Sequence, residues 1–474
     1  MSDDVETEGS SVSWTDFRYS TAPRFSTIRV NMGDKESESM EDDLKDYLRK
    51  LYPDVAYRVF RHGSLPELLV VRADDRPPPT PGHCQLIVDA LCGAAVLRGA
   101  DVYAPGVLGC PAELQAGDAV AVYADRDGRC LRDRYALYVD CASVALPAEL
   151  LAGDAVAVYA DRDGRCLRGR TQPYAGATTF VGNGVMQLSR RELFTTDRPS
   201  GVAVRVTQPV FGAPSLGPLC GRRAMLQNIP SALTSRVLAP RPGELVLDMC
   251  AAPGGKTTHL AQLMQNQGLL YAFDRTAAKV ARIAALAEEQ LLSCVHALRA
   301  DSTRLLSADS ACRLRRRHLT GEPCPLHADG PCAPPFAPDT FDRVLVDAPC
   351  SGLGQRPRLT PPAAGAQLRS YGPLQRRLLA VGADLVRPGG RLVYSTCTVP
   401  PAENEDQVAG LLAARPRLRL EPAEPRLGGP GLPGHGLDAD QCGRVQRFVP
   451  QPESDCCDRD TIGFFIACFS KAES

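Results

Sequence analysis

Three short apolar runs, each closed by an aspartate, and a paired-glycine turn between the first run and a helix predict an α/β fold built on a doubly wound, Rossmann-like parallel sheet. The first run, 244–247, is rich in strand formers and ends at Asp248. It continues as Met-Cys-Ala-Ala-Pro-Gly-Gly-Lys-Thr-Thr (249–258), and residues 257–267 read as a helix. The second run, 269–273, ends at Asp274, and the third, 295–298, leads to Asp301. In such a sheet the ligand lies over the carboxyl ends of the strands, where an acid closing the second strand can hydrogen-bond a ribose. Two adjacent glycines let the backbone turn under a ligand with no side chain in the way. The helix start behind them offers N–H groups that have no intrahelical partner.

Exclusion narrows the ligand. A phosphate-cradling P-loop needs glycine six residues before Lys256, and Cys250 stands there. The dinucleotide pattern G-x-G-x-x-G is absent from the turn. Three acids at successive strand ends, without a phosphate cradle, suit a nucleoside-bearing cofactor such as S-adenosylmethionine. Any single aspartate there reads equally well as a cap; the functional reading rests on their combination with the Gly-Gly turn.

Two further stretches carry chemistry: Asp-Ala-Pro-Cys-Ser-Gly (347–352), and Tyr-Ser-Thr-Cys-Thr (394–398) followed by Glu403, Asn404 and Glu405. Together with Cys-Ala-Ala-Pro-Gly-Gly-Lys (250–256), they make the chain from about Leu226 onward resemble the Nop/Sun family of RNA cytosine-5 methyltransferases. The resemblance implies S-adenosylmethionine as cofactor, held by Cys250, Ala251, Ala252, Pro253, Gly254, Gly255 and Lys256 with Asp274, Asp301 and Asp347. It implies Cys397 as the nucleophile and Cys350 as the group that assists product release. Asp347 would meet the cytosine edge, and Lys256 would orient or charge-stabilise the site. No metal is implied.

The chemistry explains why two thiols are needed. Carbon 5 of cytosine is too weak a nucleophile to take a methyl group directly. A thiolate adding to carbon 6 makes the ring an enamine, whose carbon 5 attacks the sulfonium methyl. The thiol must be lowered in pKa or sit beside a base. Loss of the carbon-5 proton then frees the sulfur, a step that can use a second group. The base must also leave its stack to be reached. DNA cytosine methyltransferases draw their nucleophile from a Pro-Cys motif alone, so a Thr-Cys beside a Pro-Cys points to RNA.

In chain order, residues 1–21 are acidic and polar and read as a disordered tail. Residues 25–31 alternate as a strand, 41–51 form an amphipathic helix with Leu44, Tyr47, Leu48 and Leu51 on one face, and 68–72 form a second strand. This unit, to residue 82, is too small to fold alone; it is expected to dock on the catalytic domain as the small RNA-binding-like subdomain that the family carries. A proline-rich linker spans 74–81. From 83 to 206, valine-rich strands separated by Gly, Asp and Arg turns read as a compact β-barrel. Within it, 96–107, 116–123 and 181–185 resemble a PUA domain, an RNA-binding pseudobarrel. That resemblance makes Arg98, Gly99, Tyr103 and Asn183 the candidate RNA contacts: Gly99 for close backbone approach, Arg98 and Tyr103 for phosphate pairing or base stacking.

The barrel holds a duplication. Residues 111–134 and 147–170 are 24-residue copies differing only at Gln115/Leu151 and Asp133/Gly169, with a period of 36. One copy should complete the barrel and the other, with 135–145, be extra. The second leads directly into 178–181 and is expected to continue the fold. The methyltransferase domain then occupies 207–474, with Arg222 and Arg223 at its entry and a helix from 231 to 238. The stretch 305–338 reads as a long mobile loop with an arginine cluster (313–317). Its Cys312, Cys324, His327 and Cys332 lack the paired spacings of a zinc site. A fourth strand, 341–346, delivers the Asp-Ala-Pro-Cys turn. Residues 354–365 are loose and less family-like; 371–385 form a helix, 389–394 a strand, 403–414 a helix, and 447–449 with 462–467 closing strands.

At 474 residues the chain exceeds one core, and its net charge of −1 leaves RNA binding to local patches. No secretory signal and no membrane-spanning run is read. The 18 cysteines then point to a reducing compartment, with most of them small buried hydrophobes. The expectation is a cytoplasmic monomer acting on RNA. The PUA-bearing branch of the family implies a tRNA acceptor end, with a messenger RNA hairpin of similar form second. The competing expectation is a non-catalytic RNA-binding protein derived from such an enzyme; a P-loop nucleotide hydrolase is made unfavourable by Cys250.

Overall fold

The computed structural model describes residues 17–33, 35–73, 77–81, 84–110, 120–124, 155–161, 168–169, 178–194, 198–308, 314, 318, 332–359 and 365–473. Three sheets follow one another along the chain. The first holds β1 (Phe25–Val30), β2 (Tyr57–Arg61) and β3 (Leu68–Ala73), backed by helix α1 (Met40–Leu51). Met40, Leu44 and Leu48 of α1 pack on Ile28, Val30, Leu69 and Val71, as the apolar stripe of α1 requires. Strand β2 had no counterpart in the sequence reading.

The second sheet contains β4 (Cys84–Val88), helix α2 (Ala90–Leu97), β5 (Val102–Tyr103), β6 (Val107–Gly109), β7 (Val120–Ala124), β8 (Ala155–Asp161), β9 (Thr178–Met186) and β10 (Val202–Pro209). Asp89 caps α2 by accepting from the Cys92 N–H. Strand β10 runs past the expected boundary at 206.

The duplicated segments meet in this sheet. Each of β4 and β9 is assigned three partners: β6, β7 and β8 for β4, and β10, β7 and β8 for β9. A strand has two edges, so two of the three must share one. The registers identify the shared seat: Gln85 faces both Ala121 and Ala157, and Gly184 faces both Val120 and Val156, residues 36 apart. The copies also pair with each other in parallel, Ala121 with Ala157 and Val122 with Val158, so both crowd the place between β4 and β9 that one strand would fill. The first pairs over five residues with β4, whereas the second pairs over the longer register with β9, from Ala155–Val185 to Asp161–Thr178. Apart from Arg168 and Gly169, the rest of both copies lies outside the described residues.

After the barrel, β11 (Ala224–Leu226) returns to the first sheet and pairs antiparallel with β1. Helix α3 (Ile229–Leu238) is capped by Asn228, with proline in its first turn. The third sheet then forms from β12 (Leu245–Asp248), α4 (Gly255–Leu263), β13 (Leu269–Asp274), α5 (Ala277–Glu289), β14 (Val295–Arg299), β15 (Phe341–Asp347), α6 (Gly365–Leu385), β16 (Val386–Thr396), α7 (Glu405–Ala414), β17 (Leu418–Glu421), β18 (Gln446–Phe448) and β19 (Phe464–Lys471). Its order is β14-β13-β12-β15-β16-β19-β17, with β18 on β19. The first five strands are parallel; β19 enters antiparallel between β16 and β17. Strands buried on both faces read as continuous apolar runs, which is why β12, β13 and β15 were legible in sequence. The amphipathic α5 and short β17 were not singled out there, and α6 begins six residues before the expected start. Leu314 and Cys332 are buried in the main core with Phe336 and Phe341. Cys332 is thus core packing, while Cys312, Cys324, His327, Arg313 and 315–317 lie outside the described residues.

Candidate active site

Strand order reverses between β12 and β15, and the carboxyl ends there converge as the fold requires. Asp248 closes β12, Asp274 closes β13, Asp347 closes β15 and Thr396 closes β16. The turn after β12 enters α4 through Gly254, whose φ of +112° an L side chain rarely adopts. Asp248 is fully buried and accepts from Thr257 Oγ1 at 2.8 Å, pinning the first turn of α4 to the strand that delivers it. Burial pushes its carboxyl up to about 7. Ala251 is buried, and its N–H donates to the Phe273 carbonyl at 2.9 Å. Burial raises the Cys250 thiol well above its usual range, with Asp248, Asp347 and Asp274 adding to the rise. Those three acids therefore surround it.

The two predicted cysteines meet. Sγ of Cys350, in the turn after β15, lies 3.4 Å from Sγ of Cys397, just beyond β16. Their mutual hydrogen bond drives them apart in acidity: Cys397 is lowered and Cys350 is raised well above its usual range. Cys397 has further help from a Gln355 hydrogen bond and from Lys256. Cys397 is therefore the more acidic thiol of the pair. Asp347 accepts from Ser395 Oγ at 2.7 Å on one oxygen and from Lys256 Nζ at 2.8 Å on the other. Lys256 also sits 5.2 Å over the Phe464 ring. The glycine turn, the Asp-Ala-Pro-Cys turn and the end of β16 thus form one connected site.

Several residues that build this geometry had no role in the sequence reading. Glu403 accepts from Ser351 N–H (3.0 Å), Ser351 Oγ (2.6 Å) and Gln375 Nε2 (2.9 Å). Ser351 Oγ lies 2.6 Å from Thr398 Oγ1, which also accepts from the Leu353 N–H at 3.2 Å. These bonds clamp the Cys350 turn to the Cys397 turn. Asn404 holds the latter from below, accepting from Thr396 Oγ1 and donating to the Thr398 carbonyl. Buried Glu405 pairs with Arg447 at 3.0 Å. The adjacency of 403–405 to the Thr-Cys motif was the available signal. Nor are residues 354–359 loose: Arg356 is fully buried, bonded to Asp460 at 2.6 Å and to the Thr21 and Thr461 carbonyls.

The outlying candidates fare differently. Asp301 is exposed and caps a short 3₁₀ turn through Thr303, and the next residue, Ser302, donates its Oγ to the Met249 carbonyl just beyond the end of β12. Tyr103 is 55 % exposed and Arg98 is exposed, as a contact surface needs. Gly99 and Asn183 instead face other parts of this chain. Gly99 is buried at φ +91°, and a Cβ there would meet the Pro214 carbonyl, so its close approach is to this chain's own backbone. Asn183 is buried and donates to the Thr80 carbonyl and Gln208 Oε1, leaving its amide committed within the barrel. One His–Cys–Asp trio occurs among the described residues: His62, Cys457 and Asp458. His62 Nδ1 accepts from the Ser64 and Leu65 N–H groups, so Nε2 carries the proton and donates to Asp458 at 2.7 Å. The trio is a hydrogen-bonded clasp between the first sheet and the C-terminal region.

Comparison with known proteins agrees with this geometry. A family model described as 16S rRNA methyltransferase RsmB/F matches residues 235–469, and a PUA domain model matches residues 85–131. The chain is 37% identical over 472 residues to the Homo sapiens tRNA (cytosine(72)-C(5))-methyltransferase NSUN6, covering 95% of this chain and 89% of that protein. It is 28% identical over 453 residues to the Pyrococcus horikoshii tRNA (cytosine(72)-C(5))-methyltransferase, with the same coverages of 95% and 89%. The crystal structure of NSun6 from Pyrococcus horikoshii, solved with an S-adenosylmethionine analogue, aligns with a TM-score of 0.63 at 25% identity over 96% of this chain and 93% of that one. With the thiol pair, the glycine turn and the strand-end acids on one sheet edge, the chain belongs to the Nop/Sun (RsmB/F) family of S-adenosylmethionine-dependent RNA methyltransferases, in a form that carries a PUA domain.

Proposed function

We propose that this protein methylates carbon 5 of a cytosine at the acceptor end of tRNA, through a covalent adduct on Cys397. The observation that carries the reading is the 3.4 Å separation of the Cys350 and Cys397 sulfurs; the lowered pKa of Cys397 agrees with its role as nucleophile. S-adenosylmethionine, when bound, supplies an electrophilic methyl group on a sulfonium. The turn fits it: free N–H groups at the start of α4, a strand-end acid at Asp274 suited to a ribose, and no phosphate cradle. Cys397 attacks carbon 6 of the extruded base, and Asp347, oriented by Ser395 and Lys256, meets the polar edge of the ring. As the carbon-5 proton passes to water and the bond from carbon 6 to the Cys397 sulfur breaks, the Cys350 thiol beside the adduct gives its proton to the departing sulfur and so assists release. Arg98 and Tyr103, exposed on the barrel, contact the RNA. The tRNA assignment is supported by the relatives' names and the PUA match.

The protein works as a cytoplasmic monomer. Cys350 and Cys397 are free thiols, and a catalytic thiolate beside a second thiol needs a reducing compartment. No helix among the described residues is long and apolar enough to cross a membrane. The test is bisulfite sequencing of a tRNA pool after incubation with protein and S-adenosylmethionine. A new protected cytosine at the acceptor end supports the proposal. RNA binding with no protected cytosine overturns it in favour of a non-catalytic binder.

A further inference from the structure

The first sheet reaches the cofactor turn through one side chain. Arg29 of β1 is 1 % exposed. Its Nη1 donates to the Gly255 carbonyl at 2.6 Å and to Gln227 Oε1 at 2.5 Å, and its Nη2 to Thr258 Oγ1 at 2.8 Å. Thr258 Oγ1 in turn donates to the Gly254 carbonyl at 3.0 Å. The carbonyls of both glycines are therefore held from the same side. In a planar trans peptide the carbonyl of one residue and the N–H of the next point in opposite directions. Fixing the Gly254 and Gly255 carbonyls fixes where the Gly255 and Lys256 N–H groups aim, and these are among the first donors of α4 without a helical partner.

A guanidinium is costly to bury unless its donors are met; Arg29 Nε has no partner, so the bonds from Nη1 and Nη2 carry the whole offset. Burial lowers its pKa to about 9, against the opposing pull of Glu67, so it stays charged at neutral pH. Glu67, just before β3, accepts from Arg236 of α3 at 2.9 and 2.5 Å and lies 3.1 Å from His259 Nε2 of α4. The Arg29 bonds are the ones that end on the glycine turn and α4.

We propose that Arg29 is a positioning residue for S-adenosylmethionine, holding the peptide planes of the Gly254–Gly255 turn so that the free N–H groups of α4 face the cofactor. The N-terminal subdomain then completes the cofactor site. The inference rests on reading this turn as the cofactor loop. Calorimetry of S-adenosylmethionine binding to the full chain without RNA tests it, using Arg29→Met, Arg29→Lys and Thr258→Val beside the unmodified protein. The expected result is affinity weakened about tenfold by Arg29→Met, with Thr258→Val and Arg29→Lys between that and the unmodified protein. The loss should fall on the cofactor KM more than on kcat, with tRNA affinity measured without cofactor unchanged. Cofactor affinity equal to that of the unmodified protein in the variants that fold overturns the proposal; if Arg29→Met does not fold, Thr258→Val decides. An unmodified protein that binds no S-adenosylmethionine overturns the cofactor reading itself.

Discussion

Acidity at the thiol pair is divided by position. Cys397 has three supports for its negative charge, the Cys350 thiol, Gln355 and Lys256, while Cys350 has the charge of Cys397 against it. Methyl transfer should therefore rise with pH and level off above about 7, the value to which Cys397 is lowered from 9. The sign follows from the thiolate being the reactive form. Single-turnover rates from pH 5.5 to 9 check it; a flat profile counts against thiolate attack. Cys397→Ala should reduce methylation roughly a thousandfold or more and leave no protein–RNA adduct. Cys350→Ala should still attack but release slowly, giving a retarded band on a denaturing gel, and should move the pH inflection upward because the hydrogen-bond donor is gone. Normal turnover in Cys350→Ala would remove its release role.

Among the elements, the loop ends carrying the thiols are fixed by backbone contact. Gly354 N–H donates to the Cys397 carbonyl at 3.0 Å, and the Gly463 N–H donates to the Gly354 carbonyl at 2.8 Å. A Cβ on Gly354 would lie 2.0 Å from the Gly463 carbonyl oxygen and 2.8 Å from that of Cys397. Gly354→Ala must push these strands apart, so it should cost about 3 kcal/mol of stability and most of the activity; a urea melt and a methylation assay read the two. Helix α4 carries a different liability. Burial lowers the pKa of His259 from 6.5 to about 4. A depressed pKa contributes stability that is complete above 6.5 and lost as pH falls through about 4, on the order of 3 kcal/mol if the site stays intact. Glu67, also depressed, extends the loss to lower pH. His259→Gln should flatten the urea midpoint between pH 6.5 and 4; an unchanged slope would show that the interface opens before His259 protonates.

For the molecule as a whole, the duplicated barrel segment is the anomaly. Two strands of the same sequence face the same partners in the same register, and one seat takes one strand. Deleting residues 135–170 leaves one complete copy joined to Thr171 as the second copy is. The shortened chain should unfold cooperatively at the same urea concentration or a higher one, because the closed loop is shorter, and should methylate tRNA as before. Loss of folding on this deletion would mean that both copies are structural.

The amino-acid sequence by itself determined what lies within a few residues of the backbone turn that needs it. The apolar runs, the Gly254–Gly255 turn, the strand-end acids and the two cysteine motifs are local strings, each legible because a strand, its turn and the next helix are contiguous. Tertiary structure alone decided the contacts across long separations: Ser351 with Glu403, Arg356 with Asp460, and Arg29 with Gly255, the last 226 residues apart. It also placed Gly99 against Pro214 and Asn183 against Thr80 and Gln208. A buried polar group must find a partner somewhere, but no local pattern says where, since the partner is brought there only when separate sheets dock.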